Sequence, residues 1–261
     1  MIIRKSAREI EKIAAAGGLV ADTIALVGTL LVPGVTTEEL DTAAGAFIRA
    51  RGGIPTSEGY GPSGREYPKA ICISPNDVVV HGIPDGYVVS EGDLVTIDVG
   101  VTLDGYIADS AYTFGVGEIE PEHQSLLDTG QNALAAGIAE AVDGNRVGDV
   151  SHAVQTVVER AGFSVVRSLV GHGVGRHYHE EPHIPNFGQP GRGPRLSEGM
   201  TIAIEPMITA GDSEVILMDD GWTISTADGS ISAHFEHTVA ITSDGPRILT
   251  PRVGLARSVE V

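Results

Sequence analysis

Between Leu94 and Thr102 apolar positions alternate with polar or small ones. Val95, Ile97, Val99 and Val101 face one way, and Thr96, Asp98 and Gly100 face the other. This period of two marks a strand with one apolar face. A second strand is expected from Tyr106 to Phe114, across Leu103-Asp104-Gly105. Asp-Gly in a short loop is a strong hairpin signal, because both turn positions need a left-handed backbone. With Asp104 and Gly105 as the turn, Asp98 faces Ala111 and Asp109 faces Gly100. The two carboxylates then become diagonal neighbours on one face. The alternation recurs later. Ile202 and Ile204 point one way and Ala203 and Glu205 the other. Over residues 234–240, His234, Glu236, Thr238 and Ala240 share a face.

Helical spacing fills most of the remainder. Residues 6–31 and 121–141 read as long amphipathic helices, the second opened by Pro121, which suits a first helical turn. Val32-Pro33-Gly34 precedes a further helix ending at Gly52, with capping-box spacing at Thr36 and Glu39. Leu40, Ala43, Ala44, Phe47 and Ile48 keep helical spacing there. Val142-Asp143-Gly144 precedes its counterpart, with Val147, Val150, Val154, Val157 and Val158, ending at Gly162. Ser90-Glu91-Gly92 leads into the strand reaching Asp98, and Ser197-Glu198-Gly199 into the one reaching Glu205. The matching features lie about 110 positions apart. We read one α/β domain over 1–261 with an internal pseudo-repeat, roughly 1–119 and 120–261. Each half runs helix, helix, strands, and the small Gly100 and Ala203 leave room for a ligand beside the carboxylates.

Composition narrows the function. A formal net charge of -18 argues against a broad nucleic-acid surface, which needs clustered Lys and Arg. Hydrophobic residues make up 42% and aromatic ones only 5%, so aliphatic packing must build the core. One cysteine, Cys72, allows no internal disulfide and fits a reducing cytoplasm. The N-terminus shows no signal-peptide pattern, and no apolar run reaches the roughly 20 residues that span a membrane.

The chemistry gathers on Asp98, Asp109, His172, Glu205 and Glu236. Ionised carboxylates in apolar strands demand compensation, and no Lys or Arg is near them in sequence. Four carboxylates and one imidazole suit a pair of divalent cations better than one tetrahedral zinc. Two such cations can hold a hydroxide between them and direct it at a carbonyl. His172 lies among Gly171, Gly173 and Gly175, where glycine lets the backbone approach the metals. His81 and His179 are open between structural and functional roles, and His177 and His183 blur that assignment. No phosphate-binding glycine loop or Gly-x-Ser-x-Gly elbow occurs, and Cys72 lacks an activating context.

Jointly the motifs resemble a family. They are Tyr67-Pro68-Lys69, Ile71-Cys72-Ile73-Ser74, Val79-Val80-His81-Gly82-Ile83-Pro84, Ile97-Asp98-Val99, Gly171-His172-Gly173-Val174-Gly175-Arg176, His179-Glu180-Glu181-Pro182, Ile204-Glu205-Pro206-Met207 and Glu236-His237-Thr238. Over nearly its whole length the chain resembles the type I methionine aminopeptidases of the short bacterial kind, in the M24 metallopeptidases. The resemblance implies a pseudo-twofold "pita-bread" fold, a curved antiparallel sheet with helices outside. It implies that Asp98 and Asp109 hold one metal, that Asp109 and Glu236 bridge, and that His172 and Glu205 complete the second. The ions would be Co(II), Mn(II), Fe(II) or Zn(II), with a bridging water or hydroxide attacking the carbonyl of an N-terminal methionine. Glu205 would shuttle the proton, His179 would stabilise the oxyanion and His81 would contact the substrate. Tyr67, Cys72, Tyr178 and Trp222 would line the methionine pocket, rejecting large second residues. Asn76, Val78 and Ser232 fall where a monovalent cation sits. The expected partner is the nascent chain, met transiently at the ribosome, by a monomer without nucleic-acid or membrane partners.

Departures exist. Ser57 to Glu66 does not follow the family pattern, which leaves the pocket rim undefined. His177 stands where a variable non-ligand is expected and could add a metal contact. Two other readings remain: an Xaa-Pro peptidase on the same fold, and a binding module without metals.

Overall fold

The computed structural model describes residues 1–251. The chain runs helix, helix, strands, and then does so again. Helix α1 is Ala7–Leu30 and α2 is Thr37–Ala50; α3 is Pro121–Ala139 and α4 is Val147–Arg160. Reciprocal capping boxes open the first two. The Ser6 amide donates to Glu9 and the Thr36 amide to Glu39, at 2.9 and 2.8 Å, satisfying donors that a helix start leaves free.

The expected hairpin is present as Leu94–Leu103 and Tyr106–Gly115. Its register pairs Asp98 with Ala111 and Gly100 with Asp109. Asp104 and Gly105 take φ of 50° and 75°, the left-handed turn that the Asp-Gly pair suits. Val95, Ile97, Val99 and Val101 are fully buried against α1 and α2. Each such burial is worth about 1.5–3 kcal/mol. A one-residue slip would turn all four outward, so this face holds the register.

Among the described residues the strands divide into four antiparallel sheets rather than one continuous sheet. The first carries the hairpin, Ile54–Pro55 and Cys72–Pro75. The second orders Gly245–Ile248, His237–Thr242, Thr201–Ile204, Val170–Gly173 and Glu180–Pro185. Two three-stranded sheets complete the set: Ser232–His234, Met207–Thr209 and Ser164–Val165; then Val215–Leu217, Ile224–Thr226 and Val78–Val80. Two large apolar clusters form, one under α1 and α2 and one under α3 and α4.

Between the hairpin and the second half runs a seam stitched largely by hydroxyls. Thr238 Oγ1 accepts from the Asp109 amide at 3.0 Å and donates to its carbonyl at 2.8 Å. Ser110 Oγ donates to the Glu236 carbonyl at 2.5 Å, and Thr113 Oγ1 to that of His234 at 2.9 Å.

Two further features depart from the sequence-based expectation. The 234–240 segment is not one strand: it breaks after His234 and resumes at His237. At the break the Phe235 amide donates to Pro206 and the Glu236 amide to Ala111, so the chain changes partners. Also, α1 is long and apolar enough to cross a membrane by length and composition, the only such helix among the described residues. Half of that window is buried inside the fold, where Ile13, Val20, Ile24 and Val27 pack on the hairpin as a core helix.

Candidate active site

Asp98 and Asp109 project from adjacent strands of the hairpin, both nearly buried at 9% and 5% exposure. Glu205 and Glu236 reach the same place differently. Each occupies a break: Glu205 follows the strand Thr201–Ile204, and Glu236 precedes His237–Thr242. His172 comes from Val170–Gly173, paired with Thr201–Ile204. Ligand atoms of Asp109, His172 and Glu236 lie within 4.8 Å of one another. His172 Nε2 stands 3.6 Å from Glu205 Oε1 and 3.8 Å from Asp109 Oδ2.

Crowding of carboxylates shows in their acidities. Burial raises Asp98 to about 7. Burial, then the charges of Asp98 and Glu205, push Asp109 well above the ordinary carboxylate range. Burial and Asp98 do the same to Glu205, and burial with Asp109, Glu205 and Asp98 to Glu236. Burial holds His172 down to about 3, so its ring is neutral as a metal ligand requires. Asp98 Oδ1, Asp109 Oδ1 and Glu236 Oε1 are buried without a hydrogen-bond partner. Native interiors rarely leave such atoms unpaired. Orphaned acceptors of one sign around a neutral imidazole are the donor set of divalent cations.

One cavity gathers every residue expected at the site. Asp98, Asp109, His172, Glu205 and Glu236 line it together with His81, His179, Tyr67, Cys72, Tyr178 and Trp222. Tyr67 is buried, its hydroxyl donating to the Gly82 carbonyl at 2.7 Å, and its ring meets Trp222 edge-on at 5.4 Å. Cys72 is buried and pairs with Asp98 in the neighbouring strand. His81 takes φ 58°, which non-glycine residues rarely adopt and which recurs at functional sites. Burial, then the charge of His179, lowers its pKa to about 4. His179 is exposed at the mouth, its ring 4.2 Å from that of His172.

Ser57 and Tyr60 from the rim segment, Leu169 outside every motif, and Met207 at the end of the Ile204-Glu205-Pro206-Met207 motif also line the cavity, and the sequence assigns none of them a role there. Strand parity puts His234 on the correct face without giving it a role. It is buried with neither ring nitrogen hydrogen-bonded, and Nε2 stands 3.8 Å from Glu205 Oε2. Met207 and His234 are register partners, a signal that strand pairing could have supplied. His177 is exposed and does not line the cavity, and His183 is exposed 4.0 Å from Glu181.

The glycines around His172 admit neighbouring backbone. A Cβ on Gly171 would collide with the Ala203 carbonyl oxygen, and one on Gly173 with that of Glu181. They let neighbouring strands close on both sides of the histidine. Gly100 leaves no open room either, because Tyr178 fills it: a Cβ there would meet the tyrosine hydroxyl. The rim Ser57–Glu66 is built by local contacts. The Tyr67 amide donates to Tyr60 at 2.7 Å, the Gly59 amide to Tyr67 at 2.9 Å, and the Trp222 indole to the Arg65 carbonyl at 3.0 Å.

Comparisons with known proteins agree with this geometry. The family Metallopeptidase family M24 matches residues 11–243. A methionine aminopeptidase of Clostridium perfringens is 48% identical over 251 residues, covering 96% of this chain and 99% of that one. The crystal structure of methionine aminopeptidase from Thermotoga maritima superposes with a TM-score of 0.93 at 45% identity, covering 96% and 99%. The prolidase from Pyrococcus furiosus gives 0.78 at 21% identity, covering 95% of this chain and 65% of that one, a likeness of fold alone. The cluster is a divalent-metal site in an aminopeptidase scaffold. The chain belongs to metallopeptidase family M24, in its methionine aminopeptidase branch.

Proposed function

We propose that this site removes the N-terminal methionine from nascent proteins and peptides whose second residue is small. The observation that carries the reading is a single cavity lined both by the carboxylate cage and by the apolar set of Tyr67, Cys72, Tyr178 and Trp222. An unbranched thioether fits such a wall, and the reactive bond then lies at the carboxylates. Asp98 and Asp109 would hold one divalent ion, His172 and Glu205 would hold the second, and Asp109 and Glu236 would serve both. Such a pair, drawn from Co(II), Mn(II), Fe(II) or Zn(II), supplies Lewis acidity and an acidified water when bound. Glu205 takes a proton on the nucleophile side and returns it to the leaving amine. His179 donates to the carbonyl oxygen as it gains charge, and His81 contacts the peptide beyond the scissile bond. Walls formed by the rim exclude large second residues.

A monovalent cation is part of the same reading. The carbonyl oxygens of Asn76 and Val78 both receive the Ser232 hydroxyl, at 2.9 and 3.1 Å, so their acceptors converge. We read the protein as a monomer of the cytoplasm meeting its substrates as they leave the ribosome.

Turnover of a Met-Ala-peptide and a Met-Leu-peptide across a series of Mn(II), Fe(II), Co(II) and Zn(II) tests the proposal. Methionine release from the first, and little from the second, is expected with at least one ion. Release of residues preceding proline, without release of methionine, would overturn it in favour of an Xaa-Pro peptidase. Purified protein that binds no ion would favour a binding module.

A further inference from the structure

The paired rings of His172 and His179 are 4.2 Å apart, yet their Nδ1 atoms meet opposite partners. His172 Nδ1 lies 2.8 Å from the Gly173 carbonyl oxygen. A carbonyl only accepts, so this nitrogen carries the proton and the Nε2 lone pair faces Asp109 and Glu205. His179 Nδ1 instead lies 2.6 Å from the phenolic oxygen of Tyr60.

A phenol can donate or accept, and acidity decides between the two. Its proton, with an ordinary pKa of about 10, is far more acidic than the N–H of a neutral imidazole. The imidazole lone pair is in turn the stronger base. The hydroxyl therefore donates to Nδ1, and the single proton of the neutral ring stays on Nε2. Nε2 has no hydrogen-bond partner among the described residues, and the residue lines the cavity.

We infer that Tyr60 is a positioning residue that fixes His179 in its Nε2–H tautomer, so that the ring presents a donor to the substrate. The inference rests on the proposed role of His179 as donor to the scissile carbonyl. The hydroxyl is carried by a loop already held at both ends, through the Tyr60–Tyr67 backbone bond and the indole of Trp222 on Arg65. The ring of Tyr60 also packs edge-on against Tyr178 at 5.2 Å. Tyr60→Phe keeps that wall and removes only the hydroxyl.

The test uses Zn(II)-loaded protein with 15N-labelled histidine, near neutral pH. Long-range 1H–15N spectra distinguish protonated from unprotonated ring nitrogens, and His179→Gln assigns the signal. Wild-type protein should show Nδ1 of His179 unprotonated and Nε2 protonated, and Tyr60→Phe should show a mixture of tautomers. In the same variant kcat on a Met-Ala-peptide should fall about 5- to 10-fold, the loss of one neutral hydrogen bond. KM should stay within about twofold and metal content should not change. A protonated Nδ1 in the wild type overturns the inference. So does a Tyr60→Phe variant with unchanged tautomer and kcat while Tyr60→Leu is impaired, since Tyr60 is then only a wall. Failure of the wild type to release methionine would instead remove the proposed function, while the spectra still report the tautomer.

Discussion

Divalent ions should stabilise this protein more strongly as pH rises, because they replace protons that the crowded carboxylates otherwise hold. In the metal-free protein Asp98 keeps its proton up to about 7, against 3.8 for an ordinary aspartate. A group raised on folding favours the folded state below its unfolded pKa, and that contribution is lost as pH climbs through the folded value. For Asp98 the window is about 4 to 7, and the whole effect is on the order of 4 kcal/mol at 1.36 kcal/mol per tenfold. Imidazoles lowered chiefly by burial, His179 among them, pull the other way. His172 and His234 are lowered to about 3 and His81 to about 4, so their penalty fades as pH rises to the ordinary 6.5. These rings stay neutral with or without ions near neutrality, so comparing loaded with metal-free protein at each pH cancels them. What remains is the displaced protons, each worth up to about 1.4 kcal/mol per pH unit below its pKa. Counting Asp98 alone, stabilisation by Mn(II) should grow by about 1 kcal/mol between about pH 6 and about pH 7. At roughly 2–4 °C per kcal/mol that is a rise of about 2–4 °C in the Mn(II)-induced Tm shift, and more for each further carboxyl. Scanning calorimetry of chelator-treated protein, with and without a fixed excess of Mn(II), measures it. A shift that is equal at both pH values, or smaller at the higher one, would refute the argument that these carboxylates carry protons until ions displace them.

Two substitutions probe the geometry from other sides. Asp109→Ala should abolish turnover and lower metal content, read by peptide assay and elemental analysis together; near-normal activity contradicts a shared ligand. Gly100→Ala places a methyl against the Tyr178 hydroxyl and should cost about 1–3 kcal/mol by urea denaturation while raising KM through a displaced Tyr178; an unchanged KM means that Tyr178 does not border the bound methionine.

The parts of the site written into one strand pair are legible in the sequence. Alternation and Asp104-Gly105 together set the register, and with it the diagonal of Asp98 and Asp109. The second half is less transparent. Parity carries Glu236 to the correct face, but it treats 234–240 as one strand, and a change of hydrogen-bond partner leaves no periodic trace. Tyr60, in a rim that follows no family pattern, and Leu169, just before the strand Val170–Gly173, have no assigned place in the sequence reading because they meet the cavity only in the folded chain. The glycines of Gly171-His172-Gly173 do signal closeness, and the structure shows one neighbour that the sequence does not name. What presses on them is backbone carbonyl from the adjoining strands.

The hydroxyl-stitched seam has a mechanical consequence. Asp109 and Glu236 stand on its opposite sides, each next to one of the bonds that close it. An ion held by both would act as a reversible cross-link between distant stretches of chain, doing by coordination what a disulfide does by covalence. Chelation should therefore unlatch this line before it melts either apolar cluster. Amide hydrogens of Asp109 and Glu236, which donate across the seam to Thr238 and Ala111, are expected to exchange sooner than those bonded between the two hairpin strands once the ions are gone.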